Sequence, residues 1–181
     1  MKEQERIVLI GMMGAGKSTV GAQLSELTGW PYIDNDEVVE HITGMPTRDL
    51  QRVKGVAAMR AAESAAAQEV LSRPPPLIAG VAAGIVLDPS VSAQVHAGAF
   101  VVFLRADIET LAARIEGTTR PWLGDDPEAT LRSLYAGREP LYEKIADRVI
   151  DVDHASPDEV ATQILAAFYA DQANTGGDPS S

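Results

Sequence analysis

No cysteine occurs among the 181 residues, which excludes a disulfide framework, a thiol nucleophile and a cysteine-ligated metal cluster, and makes a reducing cytoplasm the expected compartment. Histidine is scarce as well: His41, His96 and His154 are too scattered to suggest a metal centre. No apolar run approaches the roughly 18 residues that span a bilayer. Met1 to Arg6 is charged rather than apolar, so neither export nor membrane anchoring is expected. Positive charge is in short supply, with 15 Lys plus Arg against 26 Asp plus Glu and a net charge of -11. A nucleic-acid or anionic-membrane surface is therefore not expected, and any anionic ligand must be held by a local cluster of cations. What is present, 45% hydrophobic and 23% charged residues, suits a single domain over 1–170, expected to be monomeric, with enough apolar side chains for a sizeable core.

Along the chain, apolar runs alternate with helical spacing. Arg6 to Ile10 ends in an unbroken apolar run that meets Gly11, as a buried strand would, and Val20, Leu24 and Leu27 then recur at helical spacing up to Gly29. Further strands are predicted at Pro31 to Ile33, Leu77 to Ala79, Phe100 to Leu104 and Arg148 to Asp151. Helices are predicted over Glu37 to His41, Val56 to Ser72, Ile108 to Glu116, Glu128 to Ala136, Leu141 to Ala146 and from Ser156 onward, where a capping serine, a proline and two acids open the last one. Turn formers make 117–127 a loop, and the polar, Gly-, Ser- and Pro-bearing stretch 171–181 is expected to be disordered. The alternation implies an α/β fold with a central, mostly parallel five-stranded sheet between helical layers. Ligands on such a sheet sit beyond the carboxyl ends of the strands.

Gly11-Met12-Met13-Gly14-Ala15-Gly16-Lys17-Ser18 matches the pattern G-x-x-x-x-G-K-[ST] between a predicted strand and a predicted helix. Gly11, Gly14, Ala15, Gly16, Ser18 and Thr19 are candidates to cradle nucleotide phosphates with backbone N–H groups at a helix N-terminus, Lys17 to reach the outer phosphates, and Ser18 to hold Mg²⁺. Asp34-Asn35-Asp36 follows the second strand, so both acids fall at the same sheet edge. Taken alone, either is as readily a helix N-cap. Beside a phosphate loop, Asp34 is assigned to metal-bound water and Asp36 to an acceptor hydroxyl, since phosphoryl transfer to an alcohol needs charge neutralisation and a carboxylate that orients the nucleophile.

In this order the motifs resemble the shikimate kinase family of P-loop kinases: the loop Gly11 to Ser18, Ile33 to Asp36, Gly55 through Met59-Arg60-Ala61-Ala62-Glu63, Gly84 to Pro89, Thr119-Arg120-Pro121-Trp122-Leu123 and Arg138-Glu139-Pro140-Leu141-Tyr142. The resemblance spans roughly Arg6 to Ala167. It implies ATP-dependent phosphorylation of the 3-hydroxyl of shikimate in chorismate biosynthesis, with ATP as co-substrate and Mg²⁺ as cofactor. It further implies that Arg60 and Arg138 hold the substrate carboxylate, that Asp36 binds ring hydroxyls, and that Ala82, Ala83 and Gly84 line the acceptor. Arg120 would act from a lid over 114–127 and Arg114 beside adenine, with Asp153 to Pro157 bordering the base. Lys17, Asp36 and Arg120 would be the catalytic set. The chain departs from the family's three consecutive glycines at Ala82-Ala83-Gly84. An alanine there is costly if its φ is positive and otherwise only narrows the pocket. A kinase for another anionic polyol or cyclitol, and a ligand sensor without catalysis, are the alternatives.

Overall fold

A computed structural model describes residues 5–116 and 126–175. Arg120 and Trp122 thus lie outside the described residues, as does most of the segment read as a lid. Five strands, β1 (Arg6–Ile10), β2 (Tyr32–Asp34), β3 (Leu77–Gly80), β4 (Phe100–Arg105) and β5 (Arg148–Asp151), form one sheet in the order β2-β3-β1-β4-β5. All four pairings are parallel, with Ile7 beside Ile78 on one side and Phe100 on the other. The apolar run of β1 is buried at every residue because both its neighbours and the helices cover it.

Between the strands lie α1 (Lys17–Thr28), α2 (Asn35–Thr43), α3 (Thr47–Ser72), a 3-10 turn at Ile85–Leu87, α4 (Pro89–Gly98), α5 (Ile108–Ile115), α6 (Pro127–Ile145) and α7 (Pro157–Thr175). α3 is broken at Gly55, which takes φ 85° and ψ 172°. Its second half is the predicted helix; its first half, from Thr47, goes beyond the sequence reading. Two predicted helices merge into α6, which runs through Pro140. A proline there removes one backbone hydrogen bond, while buried Leu131, Arg138, Tyr142 and Ile145 anchor both halves.

Boundaries differ from the sequence reading at the tail and around the segment read as a lid. The stretch 171–175, expected to be disordered, continues α7, Gln172 and Ala173 being compatible with a helix. The lid that the resemblance places over 114–127 overlaps helices at both ends: Arg114 lies in the last turn of α5, which buried Leu111 and Ile115 hold down as the predicted helix over Ile108 to Glu116 implies, and Pro127 already belongs to α6.

Candidate active site

The strand order reverses about β1, so the segments after β1, β2 and β3 meet at the carboxyl edge. The first is the Gly-rich loop. Gly11 takes φ 145°, and a Cβ there would lie 2.7 Å from the Leu104 carbonyl oxygen on β4, so the loop turns tightly enough to bring its backbone over the strand end. Lys17 Nζ donates to the carbonyls of Gly11 at 2.9 Å and Met12 at 3.1 Å, which holds the ammonium across the loop. Ala15 is buried and its N–H donates to the Met12 carbonyl at 3.1 Å. Gly11 and Ala15 therefore shape the loop from within, whereas Gly14, Gly16, Lys17, Ser18 and Thr19 face the cleft.

Asp34 joins the second segment to the first. Its Oδ2 accepts from Ser18 Oγ at 2.7 Å and from the Tyr32 hydroxyl at 3.1 Å, while Oδ1 caps α2 by accepting from the Asp36 N–H at 3.0 Å. The N-cap role and the hydrogen bond with Ser18 are thus both real, one on each carboxylate oxygen. Tyr32 is a site residue that sequence reasoning missed. Burial, and then the Asp34 charge, push its phenol pKa up, so it stays a hydrogen-bond donor. Its ring occupies space that side chains at two glycines would take: a Cβ on Gly21 would lie 2.1 Å from its Cε2, and one on Gly80 would lie 2.5 Å from its hydroxyl.

Asp36 and the arginines line the same cleft. Asp36 Oδ1 accepts from Thr47 Oγ1 at 2.9 Å, which ties α2 to the start of α3. Arg60 Nη1 lies 3.2 Å from Glu63 Oε2, the i,i+3 pair open to it by helix spacing. Arg138 is only 5% exposed. Burial, with the Arg60 charge adding to it, lowers the Arg138 pKa, and burial, reinforced by Asp36 and opposed by Arg60, raises that of Glu63. Arg60 pairs with the buried Glu63, and Arg138, near enough to feel the charges of both, brings a second guanidinium to this corner.

The wall after β3 completes the corner. Ala82 and Ala83 have ordinary negative φ, since Glu5 alone among the described non-glycine residues has a positive value. Their methyls narrow the cleft without backbone strain. Gly84 also has φ −89°, yet a Cβ there would fall 1.3 Å from Arg60 Nη1. A methyl here would force the Arg60 guanidinium to move. The Tyr142 hydroxyl donates to the Ala83 carbonyl at 2.6 Å, and its ring stacks on Phe103 at 4.9 Å. Burial pushes the Tyr142 pKa up to about 12, so the phenol keeps its proton and pins the wall.

Lys17, Ser18, Asp34, Asp36, Arg60, Ala82, Ala83, Gly84, Arg114 and Arg138 all line a single cleft of about 1000 Å³. Arg114 donates to the carbonyls of Gly14 at 3.3 Å and Val152 at 3.1 Å, tying the Gly-rich loop to the segment after β5. Arg48, Gln51, Glu37 and Glu40 also line the cleft, beyond what the motifs point to.

The family model described as "Shikimate kinase" matches residues 13–169. A shikimate kinase from Halorhodospira halophila is 38% identical over 165 residues, covering 90% of this chain and 93% of that protein. Another, from Alteromonas mediterranea, is 33% identical over 168 residues, 92% of this chain and 98% of the relative. Among solved structures, the shikimate kinase from Acinetobacter baumannii in complex with shikimate superposes with a TM-score of 0.89 at 29% identity, over 94% of this chain and 96% of that one. A gluconokinase from Sinorhizobium meliloti, at 20% identity and a TM-score of 0.63 over 98% of this chain and 100% of that one, shares the fold.

Proposed function

This chain belongs to the shikimate kinase family, and from that premise we propose that it transfers the γ-phosphoryl group of ATP to the 3-hydroxyl of shikimate, releasing ADP. One observation carries the reading: the Gly-rich loop opens on the same cleft as Asp36, Arg60 and Arg138. An acceptor with a carboxylate at one end and hydroxyls at the other matches that arrangement. Arg60 and Arg138 bind the carboxylate, for which planar guanidiniums offer paired hydrogen bonds. Asp36, steadied by Thr47, orients the attacking hydroxyl and accepts its proton as the new P–O bond forms and the bond to the ADP oxygen breaks. Lys17 stabilises charge on the outer phosphates, Arg120 adds positive charge from the lid, and Arg114 flanks the base.

Mg²⁺ fits the donors present, a hydroxyl and a carboxylate oxygen 2.7 Å apart at Ser18 and Asp34, and would neutralise phosphate charge there. No group of three or more His, Cys, Asp or Glu among the described residues forms an all-protein cage, in keeping with a cation that keeps waters and phosphate ligands. No helix among the described residues is long and apolar enough to cross a membrane. We read the protein as a cytoplasmic monomer that binds neither nucleic acid nor membrane.

The test is a coupled ADP-release assay with shikimate, quinate, gluconate and nucleoside monophosphates, the product identified by phosphorus NMR. ATP-dependent formation of shikimate 3-phosphate is expected. The Ala82 and Ala83 methyls in the wall favour one second reading, another anionic polyol or cyclitol as acceptor, which turnover on a different acid alone would establish. Nucleotide binding with no transfer to any acceptor would mark a sensor.

A further inference from the structure

Two side-chain amides beside the acceptor end of the cleft carry enclosed atoms with no hydrogen-bond partner among the described residues. Asn35, the first residue of α2, is 1% exposed, and neither its Nδ2 nor its Oδ1 is bonded. Gln51, in the first half of α3, lines the cleft, and its Oε1 is enclosed and unbonded. The two differ in reach. Asn35 is sealed at both amide atoms, whereas Gln51 is only half-buried and is shielded at its oxygen alone. The terminal torsion of glutamine is soft and roughly two-fold, and its oxygen and nitrogen occupy nearly equivalent positions. A half-turn therefore lets Gln51 offer the cleft either an N–H or a carbonyl.

Helix spacing says what it would meet. Gln51 stands one turn after Thr47, on the same face of the helix, and Thr47 holds Asp36 at 2.9 Å. Three of the polar pairs lining the cleft are already engaged with each other: Ser18 with Asp34, Asp36 with Thr47, Arg60 with Glu63. A neutral amide adds little for a carboxylate that two guanidiniums already bind, but it matches an alcohol, which both donates and accepts. We propose that Gln51 is a specificity-determining residue that hydrogen-bonds a ring hydroxyl of the acceptor other than the one phosphorylated. The proposal rests on the reading of the cleft as the site of a hydroxylated acid.

The experiment compares wild type with Gln51→Met, which keeps the length of the side chain and removes its hydrogen bonding. Shikimate, 4-deoxyshikimate and 5-deoxyshikimate are each followed by steady-state kinetics and by calorimetric titration in the presence of ADP. Removal of one neutral hydrogen bond predicts that KM and Kd for shikimate rise about three- to tenfold, with kcat within about twofold. One deoxy analogue, the one lacking the hydroxyl that Gln51 reads, should behave alike in the two proteins. Unchanged shikimate affinity, or an equal penalty for both analogues in both proteins, overturns the proposal. So does a lower Tm with unchanged discrimination, which would assign Gln51 to packing alone. Shikimate that binds without being phosphorylated would overturn the reaction assigned above, while the titration still decides the role of Gln51. Failure of shikimate to bind the wild type overturns both.

Discussion

Gly84 and Asp36 show how differently two cleft residues act. At Gly84 the backbone is ordinary and only space is at stake: a methyl would fall 1.3 Å from Arg60 Nη1. Gly84→Ala should displace the Arg60 guanidinium, raising KM for the acceptor about tenfold or more, the usual worth of a charge-assisted hydrogen bond, with KM for ATP nearly unchanged; steady-state kinetics with each substrate varied in turn checks this. Asp36→Asn keeps the shape and removes the proton acceptor, so kcat should fall about 10²-fold or more while ATP affinity, measured by titration, holds. That Lys17, Ser18, Asp34 and Asp36 meet in one cleft is legible because residue type and spacing put them at the ends of neighbouring strands. Tyr32 is not, since its role depends on the absence of side chains at Gly21 and Gly80, positions far apart in sequence that only the folded sheet brings together. Nor can the sequence tell whether Ala82 and Ala83 are strained; φ is a property of the folded backbone, and both take negative values.

Among the elements, β1, β3 and β4 can be read because each is a short apolar run whose burial leaves little choice of environment, whereas the edge strands β2 and β5 are only partly buried. α4 escapes the reading although its start is marked: Asp88 accepts from the N–H groups of Ser90 and Val91, and Pro89 opens the first turn. Its ten residues carry too few apolar positions to show a periodicity, with only Val91, Ser92 and Val95 buried. α3 is half legible because Gly55 interrupts it. That residue lies in a backbone region essentially restricted to glycine, and a Cβ there would meet nothing within 4 Å. Gly55→Ala therefore isolates backbone strain from crowding. It should cost about 1–3 kcal/mol, seen as a lower Tm, and should raise KM for the acceptor by swinging Thr47 and Gln51 relative to Arg60, with ATP binding spared.

For the molecule as a whole, a net charge of -11 opposes two anionic substrates, and what overcomes it is the collection of cations by topology. The order β2-β3-β1-β4-β5 sets the loop after β1 between the segments after β3 and β4, and Lys17, Arg60 and Arg138 line a common cleft, which the proposed function divides between a phosphate end at Lys17 and an acceptor end at the two arginines. Each ligand should therefore stabilise the native state through its own cations. A ligand at one hundred times its Kd adds about 2.7 kcal/mol, which for a chain of this size raises Tm by roughly 5–10 °C. Differential scanning fluorimetry should show such a rise for ADP with Mg²⁺ in wild type and in Arg138→Leu, and none in Lys17→Ala. Shikimate should give the reverse, stabilising wild type and Lys17→Ala but not Arg138→Leu. A shikimate response abolished by Lys17→Ala would mean that the acid sits on the phosphate loop, and the division of the cleft into a nucleotide end and an acceptor end would be wrong.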